Sequence, residues 1–221
     1  ARWSPTPSSH SAHKAKDQPL HHFQGLDRAV TSRLLAESSF RLAVERGMGG
    51  FVIDEVTTAT GYSRRTFANH FSCKEEAVAA VVVIDALQVL KGMRVESGET
   101  AIDALERAIR SQLNQGNVER LTQLQDLARD HPALRPYLLA TYGQVMRPLL
   151  SALGMTTGGV GADLDTLLLV NACYGIFSAI TLGEIALPAR GDDALPTLAH
   201  NMDPLINVMF ARLRSGFANT R

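Results

Sequence analysis

One glycine decides how the front third of this chain can fold. Gly61 stands between two short stretches, Asp54–Thr60 and Arg64–Phe71, each with apolar residues at helical spacing. A glycine here supplies the left-handed backbone that ends the first helix sharply. Ser63 is placed to cap the second by accepting a bond from an exposed backbone N–H. Val56, Tyr62, Phe67 and Phe71 then share an inner side, with Phe67 and Phe71 four apart on one helical face. Arg64, Arg65, Thr66, Asn69 and His70 are left toward solvent. The expected unit is a helix-turn-helix whose second helix is basic on its outer side.

The rest of the chain carries the same helical period. No run shows sustained two-residue alternation, and Gly or Pro falls between the helical stretches. A leading helix is expected over Leu26–Glu45, ending at Gly47, and longer ones over Lys74–Val95, Glu99–Gln115, Val118–Arg129, Ala133–Leu153, Ala162–Leu187 and Ala194–Leu213. The breaks are His131-Pro132, Gly154–Gly161 and Pro188–Asp193, and Pro204 is expected to kink or split the last helix. Nine helices without a strand make an all-α protein. Residues 1–25, rich in Ser, Pro and His, read as a disordered leader. Residues 26–73 read as the helix-turn-helix domain and 74–221 as a second, helical domain.

Charge supports a division of labour. The formal net charge is zero, but residues 1–75 hold ten Lys/Arg against seven Asp/Glu, and residues 76–221 hold twelve against fifteen. A basic front suits contact with phosphate. The two cysteines, Cys73 and Cys173, are not a disulfide framework, so a reduced, cytoplasmic setting is expected. Leu164–Leu187 approaches the length of a membrane span but contains Asp165, Asn171, Ser178, Thr181 and Glu184, which favours burial in a bundle or a dimer over lipid. No membrane partner, metal site or cofactor is expected: His10, His13, His21 and His22 lie in the leader, where fixed ligand geometry cannot be held. Nor is an enzyme expected, because no phosphate loop, nucleophile elbow, zinc-binding helix or paired Cys-x-x-Cys occurs.

Three segments in fixed order carry a resemblance. They are Glu45-Arg46-Gly47, Gly61-Tyr62-Ser63-Arg64-Arg65-Thr66-Phe67, and His70-Phe71-Ser72-Cys73-Lys74-Glu75-Glu76. Over about Leu34–Val78 the chain resembles the TetR family of bacterial transcriptional regulators. The resemblance implies a three-helix DNA-binding domain, and a C-terminal ligand-binding domain that forms a homodimer through its last two helices. It implies double-stranded DNA with a palindromic operator as partner, a small-molecule effector, and release of DNA when the effector binds. Thr66 and His70 fall where members often touch DNA, and Lys74 falls on a frequent phosphate-contacting lysine. Ser63, Arg64, Arg65 and Asn69 join the DNA-contact set on helical geometry, since the N-terminal part of such a helix meets base edges in the major groove. Four positions depart from the pattern. Val52 stands where a Thr commonly caps the second helix and touches phosphate, and Ala68 replaces an aromatic that packs on the DNA backbone. Ala43 replaces a core Phe, for which Phe40 is the candidate substitute, and Cys73 takes a cap position usual for Ser or Asn.

For the effector, the candidates are apolar residues with occasional polar ones: Met93, Leu113, Leu124, Leu127, Tyr137, Tyr142, Asn171, Tyr174 and Ser178. Asn171 stands out, because an amide buried in an apolar run needs a partner. The set points to an apolar or aromatic ligand. Two other readings are an architectural or partner-regulated DNA binder without a metabolite ligand, and a helical enzyme on a borrowed fold.

Overall fold

The structure is a computed structural model that describes residues 18–113, 115–153, 164–182, 184 and 202–216. The described residues form nine α-helices, one 3₁₀ turn and no strand, in keeping with the all-α expectation. In chain order these are α1 (Gln18–Arg46), α2 (Ile53–Thr60), α3 (Arg64–Ala68), α4 (Lys74–Gly92), α5 (Ala101–Gln112), α6 (Gln115–Asp130), the 3₁₀ turn Pro132–Leu134, α7 (Arg135–Ala152), α8 (Leu164–Thr181) and α9 (Asp203–Ser215).

Two expectations about boundaries need correction. The leader does not extend to residue 25, because α1 begins at Gln18; Pro19 is compatible with this, since proline is tolerated in a first helical turn. Pro204 stands at the start of the last described helix, and residues 194–201 of the helix expected before it lie outside the described residues. The missing N–H of Pro204 would have no intrahelical partner in the first turn of α9 anyway. The second helix of the motif is also shorter than expected, ending at Ala68 and closing through a turn in which the Phe71 N–H donates to the Phe67 carbonyl at 2.9 Å. Residues 1–17, with His10 and His13, and residues 154–163 and 185–201 lie outside the described residues.

Two cores hold the molecule together. The first joins α1, α2, α3 and the front of α4, with Leu35, Phe51, Val56, Phe67, Val78 and Val81 all buried, and it continues to Leu124 of α6 and Leu138 of α7. Burying a side chain of this kind stabilises the fold by about 1.5–3 kcal/mol. The second core lies among α5, α8 and α9 and includes Leu105, Ile109, Val170, Ile180 and Phe210. Charged pairs pin α9 to α5: Arg110 to Asp203, Arg214 to Asp103 and Arg214 to Glu106, each at 2.7 Å. Helix α4 belongs to both regions, packing against α1 on one side and α7 on another.

Gly61 and Gly50 shape the connections of the front unit. Gly61 has φ +74° at the end of α2, in the left-handed region that ordinary side chains disfavour. At Gly50 a β-carbon would come within 2.1 Å of the Arg46 carbonyl oxygen, so the return from α1 toward α2 leaves no room for one.

Candidate nucleic-acid interface and effector cavity

The helix-turn-helix is built as its residues suggest. Phe67 and Phe71 turn inward with ring centroids 5.7 Å apart, and Phe67 is almost wholly buried. Val56 is buried, and Tyr62 packs against the same core. Ser63 caps α3: its Oγ accepts from the Thr66 N–H at 3.0 Å and lies 2.9 Å from the Thr66 hydroxyl. Val52 cannot cap α2 with its own side chain. Glu55 instead turns back and accepts from the Val52 N–H at 3.0 Å, so only the return half of a capping box is made. That bond and the Arg46 guanidinium hold the Glu55 carboxyl below its ordinary range.

With the aromatic pair inside, Arg64, Arg65 and Asn69 are exposed on the outer face of α3, and Thr66 is half-buried. The two arginines are not equivalent. Arg64 Nε lies 2.6 Å from the Asp54 carboxylate, while Arg65 makes no side-chain ion pair or hydrogen bond among the described residues. His70 is half-buried, with Nδ1 2.6 Å from Ser32 Oγ of α1, which leaves Nε2 as the ring nitrogen available to a partner. Burial first, and then the positive charge of Arg28, hold the His70 imidazole below its ordinary range.

Lys74 is tied into the fold. Its Nζ donates to the backbone carbonyls of Met48 (2.5 Å) and Phe51 (3.0 Å) and sits 4.9 Å from the centre of the Phe51 ring. Two of its three N–H groups thus clasp the α1–α2 connection to the start of α4, and one remains for an outside acceptor. Cys73 does cap α4: its Sγ accepts from the Glu76 N–H at 3.4 Å, while Glu76 accepts from both the backbone N–H and the hydroxyl of Ser72 at 2.6 Å. Ala43 is fully buried, and the neighbouring Phe40 fills space with its ring facing Arg120 at 5.7 Å.

Sequence reasoning missed Arg28. It projects from α1 and donates to the Asn69 carbonyl at 3.3 Å, adding a third exposed arginine beside α3. The signal was present: Arg28, Ser32 and Leu35 share one face of α1, and Leu35 is core.

Behind this unit lies a cavity of about 160 Å³, walled by α4, α5, α6, α7 and α8. Of the nine effector candidates, it is lined by Leu113 and Tyr174. Met93 is buried in the second core, and Leu124 and Leu127 in the first. Tyr137 sits at the joint between the two regions, where a hydrogen bond to Cys73 raises its phenol above the ordinary range. The side chain of Tyr142 is outside those described. Asn171 is not buried, contrary to expectation: it is exposed on α8 and donates to the Leu167 carbonyl at 2.8 Å within its own helix. Ser178 bonds along α8 in the same way, to the Gly175 carbonyl at 3.4 Å, and does not line the cavity. The charged part of the wall, which spacing could not foretell, is Asp85 and Arg120, paired at 2.7 Å.

Helix α8 is long and apolar enough to cross a membrane by length and composition. It buries Thr166, Val170, Cys173 and Ile180 in the fold and exposes Leu164, Leu168, Asn171 and Gly175 on the opposite side. Val208 of α9 is exposed as well. Among the described residues no group of three or more His, Cys, Asp or Glu could hold a metal ion.

No family model matches the chain, and no curated protein matches it. Among solved structures, it is similar to Salmonella enterica GusR at 16% identity and a TM-score of 0.44, over 84% of this chain and 94% of that one. It is also similar to a putative TetR-family transcriptional regulator from Mesorhizobium loti MAFF303099 at 19% identity and a TM-score of 0.39, over 83% and 96%.

Proposed function

We propose that this chain is a sequence-specific DNA-binding transcriptional regulator of the TetR type, a homodimer that a small molecule releases from an inverted-repeat operator. The observation that carries the reading is α3. A five-residue helix with Phe67 turned into the core presents Arg64, Arg65 and Asn69 outward, beside Arg28 of α1. Arginine and asparagine make the bidentate contacts that distinguish guanine and adenine in the major groove. Arg65, without an internal partner, takes the leading role. Arg64 must exchange Asp54 for DNA, a small penalty, because exposed pairs are worth about 0–1 kcal/mol. Ser63, Thr66 and His70 Nε2 supply further polar contacts, and the remaining N–H of Lys74 reaches a phosphate.

The exposed leucines of α8, Leu164 and Leu168, and the exposed Val208 of α9 support pairing of two copies through the last two helices. Pairing serves the DNA contact, since two recognition helices must lie about 34–36 Å apart to enter successive major grooves. The cavity beside α4 favours a small-molecule effector over an architectural binder. A ligand there acts on the helix whose first residue, Lys74, clasps the DNA-binding unit.

Selection of genomic fragments on the full chain tests the reading. It should recover a shared inverted repeat, with two chains bound to each duplex. Recovery of unrelated sequences with equal affinity would favour the architectural reading.

A further inference from the structure

We infer that the cavity takes a small aromatic carboxylate, whose oxyanion is received by Arg120; this rests on the reading of the cavity as an effector site. The inference starts from an imbalance of donors and acceptors at the cavity's one charged end. Asp85 already faces two cations: Oδ2 lies 2.7 Å from Arg120 Nη1, and Oδ1 lies 3.8 Å from Arg33 Nη2 of α1. Gln112 Nε2 gives one of its two N–H groups to the Asp85 backbone carbonyl at 2.9 Å. Arg120 carries five N–H donors, of which one meets Asp85 among the described residues, while its guanidinium carbon lies over the Phe40 ring, 5.7 Å from the ring centre.

The wall therefore has donors to spare and an acid that two arginines already share. A carboxylate can accept two parallel N–H bonds from one guanidinium, a geometry that guanidinium favours and ammonium cannot offer. A cationic ligand would have to compete with both Arg33 and Arg120 for Asp85. Elsewhere the cavity is lined by apolar groups such as Leu105, Val145, Leu149 and Phe177. Its volume, about 160 Å³, is close to that of an engineered apolar cavity of about 150 Å³ that admits benzene. One ring with a short acidic arm fills it.

The site is also placed to report occupancy. Arg120 touches α1 through Phe40, and Asp85 touches it through Arg33. A carboxylate that draws Arg120 toward itself loosens the Arg120–Asp85 pair and shifts both contacts on α1, the helix that also holds His70 through Ser32.

Calorimetric titration of the full chain with phenylacetate, 2-phenylethanol and 2-phenylethylamine tests the proposal, because the three share a ring and differ in the charge of the arm. Phenylacetate should bind roughly tenfold or more tighter than the other two, the size expected of hydrogen bonds to a charged group. Arg120→Gln should bring phenylacetate down to the level of the alcohol and leave the alcohol's affinity as it was, which also shows that the variant is folded. Arg120→Lys should retain part of the preference. Binding of the alcohol or the amine as tightly as the acid, an acid preference that survives Arg120→Gln, or no binding of any of the three would overturn the proposal. A gel shift on a selected operator keeps it separate from the reading beneath it. Release of DNA by the amine instead of the acid leaves the regulator standing and removes the carboxylate site. Arg120-dependent binding of phenylacetate by a chain that holds no DNA does the reverse.

Discussion

The two regions of this molecule solve opposite problems. The front unit is filled: Phe51, Val56 and Phe67 are buried, Ser63 caps α3, and Lys74 clasps the α1–α2 connection from the neighbouring helix. The body behind it leaves a void between five helices and an apolar stripe on α8 facing outward. A DNA-reading element must hold its arginines in one register, so tight packing serves it. An element that responds to a ligand needs room for the ligand and two arrangements close in energy. Under the proposed function, the difference in packing is the difference in task.

That contrast can be broken by mutation. Phe67→Ala should destabilise the front unit by about 3–5 kcal/mol, the usual cost of deleting a buried ring, and abolish DNA binding. Urea unfolding and a gel shift check both. Lys74→Met should cost about 2 kcal/mol, because it leaves two backbone carbonyls without their charged donor. If the lysine also meets a phosphate, the salt slope of DNA binding falls by about one unit in a variant that is still folded. A lower melting temperature with an unchanged slope would confine Lys74 to its clasp.

A matched pair of enlargements sharpens the comparison. Ala36→Leu, in the filled core, should cost about 1–3 kcal/mol through overpacking. Ala108→Leu faces the cavity and has space to enter, so its stability should stay near that of the parent while phenylacetate binding is lost. Equal destabilisation by both in chemical unfolding would mean that the void is not real space.

The smallest effect is a pH dependence. The His70 proton is held less tightly in the folded state than in the unfolded one, so the unfolded chain binds more protons below about 6.5. This part of the stability is fully present above that value and is lost as pH falls through it toward the folded value. Unfolding midpoints at pH 7.5 and 5.5 should differ accordingly, and His70→Gln should narrow the gap.

Much of the front unit was legible because its constraints are local. Gly61, Ser63 and the Phe67–Phe71 spacing each dictate backbone or facing within a turn or two. The Asp54 partner of Arg64, the Arg28 contact with Asn69 and the Ser32 bond to His70 depend on how helices cross, which periodicity does not encode. The cavity was harder still. Leu113 and Tyr174 were found on composition, but Asn171, chosen as a polar residue in an apolar run, lies outward, because α8 is apolar on two sides and only one is covered. Asp85 and Arg120 belong to no motif, and only their pairing between α4 and α6 at the cavity brings them together.

The central claim is that the outer face of α3 reads base sequence, with Arg65 foremost. Its most direct test is the affinity of the full chain for its selected duplex and for a set of single-base variants, compared with Arg65→Ala. Loss of preference at one base pair in each half-site, worth about 1–3 kcal/mol, with the other positions still discriminated, is the predicted result. A preference profile identical to the parent's, in Arg65→Ala and in the double variant with Arg64→Ala, would contradict it.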